Sequence, residues 1–516
     1  MLLDHEACCQ AILARDARFD GRFFTAVRST GVYCRPICCA RPAKPTNMIF
    51  MPSAAAAEAA GFRPCLRCRP ELSPNLLPWN GAAAAVSRAV ALIFTGALNN
   101  EGVAGLAARS GIDEGQLRGL FRTHLGASPE AVARTRQMLF AKQLVTDTRL
   151  PLTDVALAAG FGSLRRFSEA FRTRYAQSPG SLRRTEASDP APPAIVLILP
   201  YKPPYDWPGV IRFLSARAIR GVEVVRPEVY ARSIALAGMH GTLTVRPAAQ
   251  RDALIATIHF PVVTALSEIV ERLRRLFDLG ADPAIIGAHL AEDPHLAKLV
   301  AAHPGMRVPG AWDGFELAVR GILGQQITVA AATTLAGKLA ALCGTPLPPA
   351  DDPALAGLTH VFPTPERLAR ERDLGLTIGM PRNRASAIVA LAEAAAADPR
   401  LFDPGQGLEE SVARLRALRG IGEWTAQYIA MRALREPDAF PAADIGLLRA
   451  MATAEGRPTP AQLIARAALW RPWRAYAVLH LWASEVAGSA VPEKEVSNET
   501  VSRSHADTDR GDPADL

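Results

Sequence analysis

Two places in this sequence collect side chains that could do chemistry. The stretches YCRPICCAR (33–41) and RPCLRCRP (63–70) carry five of the chain's eight cysteines. Cys34, Cys38, Cys65 and Cys68 form C-x3-C followed by C-x2-C, and short loops at each end let two thiolate pairs converge on a tetrahedral Zn²⁺. Inert buried thiols and an iron–sulfur site are the alternatives that this spacing leaves open. Cys39 is an adjacent fifth thiol able to compete for the metal, whereas Cys8, Cys9 and Cys343 have no partner at ligand spacing. The second place is LRALRGIGEWTA (415–426). A G-I-G turn between two apolar-periodic helices presents backbone N–H groups around Gly420 and Gly422 to a DNA phosphate, often with a bound monovalent cation. Asp444, in FPAAD, follows about 20 residues beyond that turn and stands where the segment IGLLRAM needs an N-cap.

The elements that must position these groups fall into blocks. SPNLLPW (73–79) closes the cysteine-bearing segment, EASDPAPP (186–193) is a Pro/Ala-rich linker, and the sequence after Gly488 loses apolar periodicity, which predicts a disordered tail over 488–516. Between them lie a helical stretch (80–185), a strand-rich stretch (194–260) and a long helical stretch (262–487). The first contains a repeat: LAARSG…LRGLFRTHLGASP (106–129) returns as ALAAGF…RRFSEAFRTRYAQSP (156–179). An Ala that permits close helix contact, a Gly four residues later in the left-handed turn, and an apolar-periodic segment make a helix-turn-helix pattern; one copy alone would fit many purely structural helical cores. Residues 1–190 hold 24 Lys+Arg against 15 Asp+Glu and the remainder 34 against 35, so the chain's net +8 belongs to its front half. A basic half points to a polyanion, double-stranded DNA most simply. No apolar run approaches the ~20 residues of a membrane span. MLLDHEACCQ lacks the basic and apolar regions of a secretion signal, which predicts no membrane partner and a cytoplasmic, nucleoid-associated setting.

RSTGVYCRPICCAR…AAGFRPCLRCRP closely resembles the N-terminal zinc domain of the Ada methylation-repair family. That resemblance implies that Cys34, one of the four zinc thiolates, irreversibly accepts the methyl group of a DNA methylphosphotriester, and that Thr30, Arg41 and Arg67 contact the phosphate backbone. Methylating one sulfur takes a four-thiolate zinc centre from about −2 to about −1, relieving repulsion from DNA and turning repair into a charge switch. The repeat resembles the AraC-type tandem reader, whose second helices lie in successive major grooves. It places Arg118, Arg122, Arg165 and Arg166 at DNA, and a regulator of this kind implies RNA polymerase as a partner. PPYDWPGVIRFLSARAI (203–219), RLFDLGADP (275–283), FELAVRGILGQQ (315–326), GIGEWTAQY (420–428) and WRPWRAYAVLHLW (470–482) resemble AlkA-type 3-methyladenine DNA glycosylases of the helix-hairpin-helix superfamily. This implies Asp444 as the single catalytic carboxylate and a base pocket lined by Phe213, Trp424, Tyr428 and Trp482. Electron-rich rings suit cationic purines such as 3-methyladenine and 7-methylguanine, although each ring could also be plain core.

Several departures from these families carry information. Trp424 stands where bifunctional glycosylases place a lyase lysine, and no cysteine follows Cys343, so strand cleavage and an iron–sulfur cluster are not expected. A PCHR methyl-acceptor motif for O6-methylguanine is missing. Ile445 replaces an aromatic of the pocket wall, and Gln326 replaces an apolar wedge. The reading is therefore a multidomain, mainly α protein: a small zinc-bound α/β domain (1–78), a tandem helix-turn-helix (80–185), an AlkA-type N-terminal α/β subdomain (194–305) and an all-α helix-hairpin-helix glycosylase core (306–487). It predicts a monofunctional glycosylase for alkylated purines with one Zn²⁺. A transcription activator with an idle glycosylase half, or an enzyme merely tethered by its front half, are the rival readings.

Overall fold

A computed structural model describes residues 4–74, 82–94, 96–183, 194–371, 373–403, 407–454 and 456–488. The expected linker at 186–193 and all of the expected tail beyond Gly488 lie outside the described residues.

The first unit is a four-stranded sheet in the order Met48–Met51, Phe24–Val27, Val32–Cys34, Arg63–Pro64. Only the last pair is parallel, matching Tyr33 with Pro64, so Cys34 and Cys65 emerge side by side from adjacent strands. The short helix Ala54–Ala59 covers the sheet, started by the Ser53 hydroxyl accepting from Ala56 N–H. Six helices follow: Ala82–Phe94, Ala97–Arg109, Glu114–Leu125, Pro129–Asp147, Leu152–Ala158 and Leu164–Tyr175. The two copies of the repeat fold alike. Gly111 and Gly160 both take positive φ, and Ala107 and Ala156 are fully packed against their partner helices. Asp113 and Ser163 cap the two second helices.

The strand-rich stretch forms a five-stranded antiparallel sheet in the order Ile195–Pro200, Ala253–His259, Met239–Pro247, Val229–Leu236, Glu223–Arg226. Burial alternates along Ile195–Pro200 and its neighbour Ala253–His259, as a sheet packed on one face requires. Among the described residues the rest is helical apart from an isolated bridge between Thr453 and Gly456 and a ribbon that periodicity did not signal, in which Thr345–Pro346 pairs with His360–Val361. That ribbon lies against the larger sheet. Gly221 O accepts from the N–H groups of Thr359 and His360, and Ser233 Oγ donates to His360 O. Two residues per strand leave no alternation to read. At the centre of the helical core, eight of the ten residues of Gly314–Leu323 are buried.

The blocks are joined by buried charge. Lys142, in the helix between the two repeats, is 2.8 Å from Glu71 of the zinc unit, with both side chains almost fully buried. Arg69 bridges Glu71 and Asp147. Glu58 accepts from Thr135 and Tyr33 and pairs with Arg174 of the second repeat. On the other side of the zinc unit, Arg22 and Lys202 share Asp282. Removing one member of a buried pair leaves the other uncompensated. Glu71→Gln, which leaves the buried Lys142 ammonium without a carboxylate, should therefore destabilise the protein by about 3 kcal/mol in denaturant unfolding; a loss below about 1 kcal/mol would show that this contact does not hold the zinc unit in place.

Candidate active site and metal centre

The four thiols Cys34, Cys38, Cys65 and Cys68 lie within 4.8 Å of one another. Cys34 and Cys65 are set by the strand pairing. Cys38 is brought round by a turn closed by its own N–H on Arg35 O, and Cys68 Sγ accepts from Arg35 N–H at 3.3 Å. Arg35 is itself fixed by Cys68 O and by an ion pair with Asp20. Hydrogen bonding, first from Cys34, holds the Cys38 thiol down at about 7, and its three neighbours lower Cys65 further. The same bonds raise Cys34 and Cys68. Four cysteine sulfurs converging on one point are the donor set that a tetrahedral divalent cation completes. Cys39, the expected competitor, is exposed and outside this group, its carbonyl held by Arg15. Thr30, Arg41 and Arg67 are all exposed on the same small domain.

The arginines expected at DNA divide into two kinds. Arg118 is engaged by Glu114 and Glu130, and Arg165 by Glu169, whereas Arg122 and Arg166 are exposed with no ion pair recorded among the described residues. Exposed pairs of this sort are worth under about 1 kcal/mol and are easily exchanged for phosphates.

In the helical core, the G-I-G turn joins Leu408–Arg416 to Glu423–Arg432. Gly420 has φ +83°, and a Cβ there would run into the Ala387 methyl, so only glycine fits. Gly422 is different: its surroundings are open, it adopts an ordinary extended φ, and no side chain caps the helix it begins. The first-turn N–H groups of that helix therefore face outward, a seat for an anion.

Asp444 sits 22 residues past Gly422, as the N-cap of Ile445–Ala450, accepting from Leu447 N–H at 3.1 Å. The N-cap reading of this residue holds. Its two carboxylate oxygens also receive one indole each: Trp424 Nε1 donates to one at 2.8 Å and Trp482 Nε1 to the other at 2.9 Å. Both tryptophans were expected as stacking surfaces, and the structure gives each a second task. The Trp424 ring lies flat on Tyr428 with centroids 5.2 Å apart, and Phe213 stacks on Trp482 at 6.3 Å. Tyr428 is buried beneath Trp424, so its core reading holds. Although burial alone would raise its pKa, the guanidiniums of Arg432 and Arg217 pull the phenol below its usual range.

Four side chains were not singled out from sequence. Arg432 binds Tyr428 Oη, Pro309 O and Gly310 O, locking that ring. Arg217 lies over Phe213. Gln325 Nε2 bonds Gly420 O and Thr425 Oγ1, and Arg384 holds Gln325 O, so the Gln326 loop is tied to the phosphate turn. Gln325 and Arg217 lie inside quoted motifs, but nothing in linear order tells a tether or a ring contact from a surface polar group. Gln326 is exposed at φ +58°, and Ile445, next to Asp444, is half exposed.

The chain matches four family models: the metal-binding domain of Ada at 7–71, a helix-turn-helix domain at 106–185, the AlkA N-terminal domain at 196–313, and the HhH-GPD superfamily of base excision DNA repair proteins at 319–475. It is 42% identical over 487 residues, 93% of this chain and 96% of the other, to a "Probable bifunctional transcriptional activator/DNA repair enzyme AlkA" of Mycobacterium tuberculosis. The chain belongs to that AlkA activator/repair family. It is also 37% identical over 288 residues to DNA-3-methyladenine glycosylase 2 of Escherichia coli, covering 56% of this chain and 96% of that one. A 3-methyladenine DNA glycosylase from Archaeoglobus fulgidus shares the fold, with TM-score 0.50 and 23% identity over 57% of this chain and 99% of the other. No helix among the described residues is long and apolar enough to cross a membrane.

The geometry separates the two hairpin glycines. Gly420→Ala should lower stability by more than about 1 kcal/mol, since it adds both a left-handed strain and an overlap. Gly422→Ala should leave unfolding unchanged and weaken DNA binding. Equal effects in unfolding and DNA titration would show that the turn is structural only.

Proposed function

We propose that the chain is a DNA alkylation-repair protein joining a monofunctional 3-methyladenine-type glycosylase to a zinc–thiolate methyl acceptor that controls a DNA-reading domain. The observation that carries the glycosylase reading is the Asp444 carboxylate gripped by two indole N–H groups inside an aromatic pocket. Such a carboxylate has its direction fixed before a lesion arrives, which is the condition for electrostatic stabilisation without reorganisation.

The steps follow from that placement. The uncapped helix start at Gly422 and the left-handed turn at Gly420 receive a phosphate beside the lesion, and a monovalent cation would be coordinated by the turn's carbonyls. Gln326, on a loop tethered to that turn, fills the gap left by the displaced nucleotide. Trp424, Trp482 and Phe213 take the flipped base. As the bond from C1′ to the base nitrogen weakens, Asp444 faces the growing positive charge on the sugar, orients a water and receives its proton. A base that is already cationic leaves as a neutral molecule and needs no general acid. With Trp424 at the lyase position there is no amine to form a Schiff base, and the product is an unbroken abasic strand.

In the front half, Cys34, Cys38, Cys65 and Cys68 would hold Zn²⁺, which when bound keeps the sulfurs deprotonated and nucleophilic at neutral pH. Cys34 sulfur forms a bond to the methyl carbon as that carbon's bond to the phosphotriester oxygen breaks, leaving a phosphodiester. The cluster loses one negative charge, and Thr30, Arg41, Arg67 and the repeat arginines then hold DNA more strongly. Promoter binding in this state would recruit RNA polymerase at the nucleoid. The intact Asp444 clamp favours this combined reading over an activator with an idle enzyme half.

Full-length protein should contain one zinc, and Cys65→Ser should lose it; metal analysis finding none in the native chain would refute the metal assignment. In single-turnover assays on methylated duplex, Asp444→Asn should slow 7-methylguanine release by about 10²–10³ while lesion binding persists. Full activity in that variant, or strand breakage before alkali treatment, would overturn the glycosylase reading.

A further inference from the structure

Two guanidiniums approach the aromatic pocket, and they are not equivalent. Arg432 lies 4.7 Å from the centre of the Phe213 ring, but its N–H groups are spent on Pro309 O, Gly310 O and Tyr428 Oη. It is a strut. Arg217 lies 3.9 Å from the Phe213 centroid and 6.0 Å from that of Trp482. Its backbone carbonyl is pinned by Arg320 at 2.6 Å, so the position of its Cα is fixed. Its side chain is held less firmly than that of Arg432: among the described residues it has no carboxylate within ion-pair distance, and its bonds are a long one, 3.4 Å, to Phe213 O and one with Tyr428. The guanidinium lines a cavity of about 140 Å³ together with Phe213 and Trp482, the rings expected to take the base. Burial weakens its hold on its proton, Tyr428 and Asp444 act against that, and Arg432 repels it.

A cation already resting on the stacking rings has opposite consequences for two kinds of lesion. A cationic purine meets like charge and competes for the same ring faces. It gains nothing on departure, because it leaves neutral. A neutral modified purine meets no repulsion, and it has the harder departure: the electron pair of the glycosidic bond goes onto the base, which leaves as an anion. Donors aimed at developing negative charge act at that moment. We propose that Arg217 is a specificity-determining residue that admits neutral purine lesions by hydrogen-bonding the departing base, at the expense of affinity for cationic ones. The guanidinium keeps its protons throughout. Water supplies the oxygen that closes on C1′ and, through solvent, the proton that neutralises the released purine.

This inference rests on the glycosylase reading, and two substrates keep the two apart. Full-length native protein, Arg217→Gln and Arg217→Lys are compared in single-turnover release of 7-methylguanine, a cationic base, and hypoxanthine, a neutral one, from otherwise identical duplexes. Arg217→Gln should slow hypoxanthine release about 10²-fold and raise 7-methylguanine release by a few-fold. Arg217→Lys, which keeps the charge but loses the forked donor, should fall between native and Arg217→Gln on hypoxanthine. Thermal unfolding reports whether each variant folds. A parallel fall on both bases would make Arg217 merely structural, and a fall confined to 7-methylguanine would make it a cationic-base ligand; either overturns the inference. Native protein that releases 7-methylguanine but no hypoxanthine also overturns it, leaving the glycosylase reading intact. Native protein that releases neither refutes both.

Discussion

A carboxylate placed among aromatic rings can turn toward solvent unless something holds it, and here the holding is done by the rings themselves. Trp424 and Trp482 each donate one indole N–H to a different oxygen of Asp444, while Leu447 N–H takes a third bond at the helix start. Much of the core exists to bring these three donors to one point. Trp424 arrives on the helix after the phosphate turn, Trp482 on the long C-terminal helix, and Asp444 at the start of a six-residue helix between them. The same indoles also stack on Tyr428 and Phe213, so under the proposed function aiming the charge and gripping the base are one arrangement. A change that moves either tryptophan must alter both.

The surrounding contacts extend this coupling. Gln325 ties the Gln326 loop to Gly420 and Thr425, so the loop and the G-I-G turn are held together as one unit. Arg432 fixes Tyr428 to the 309–310 segment, and the Arg320–Glu223–Glu316–Arg232 network joins the glycosylase helix Gly314–Leu323 to the edge of the five-stranded sheet. Burial of Glu223 would by itself raise its pKa, yet Arg320 and Arg232 hold it at about 2. These charges are silent in a hydrophobicity pattern. They are nonetheless what sets the α/β subdomain against the pocket, where it contributes Phe213 and Arg217.

Legibility in the sequence followed the range of the interaction concerned. The four-thiol cluster was readable because two short loops fix it locally, and the tandem repeat because Gly111 and Gly160 occupy equivalent turns. The place of Asp444 was readable from its distance beyond the G-I-G turn. The indole clamp was not, since a tryptophan's N–H direction depends on how helices 60 residues apart pack. The ribbon Thr345–Pro346 with His360–Val361 was invisible because two residues have no period. Arg217 was hidden for a different reason. It lies in a helix-end segment rich in Ser, Ala and Arg, where a basic residue usually means solvent, and only the fold reveals that it turns onto Phe213.

The central claim is that Trp482 works through Asp444 and not by stacking alone. It is tested most directly by a double-mutant cycle on single-turnover 7-methylguanine release, using Trp482→Phe, Asp444→Asn and the pair. Phenylalanine keeps a ring and removes the N–H donor. Losing one hydrogen bond to a charged group costs about 1.5–3 kcal/mol, so Trp482→Phe alone should slow release by at least about tenfold. In the Asp444→Asn background the same change should cost almost nothing, because the group it positions has lost its charge. Additive losses in the double variant would contradict the account and reduce Trp482 to a stacking surface.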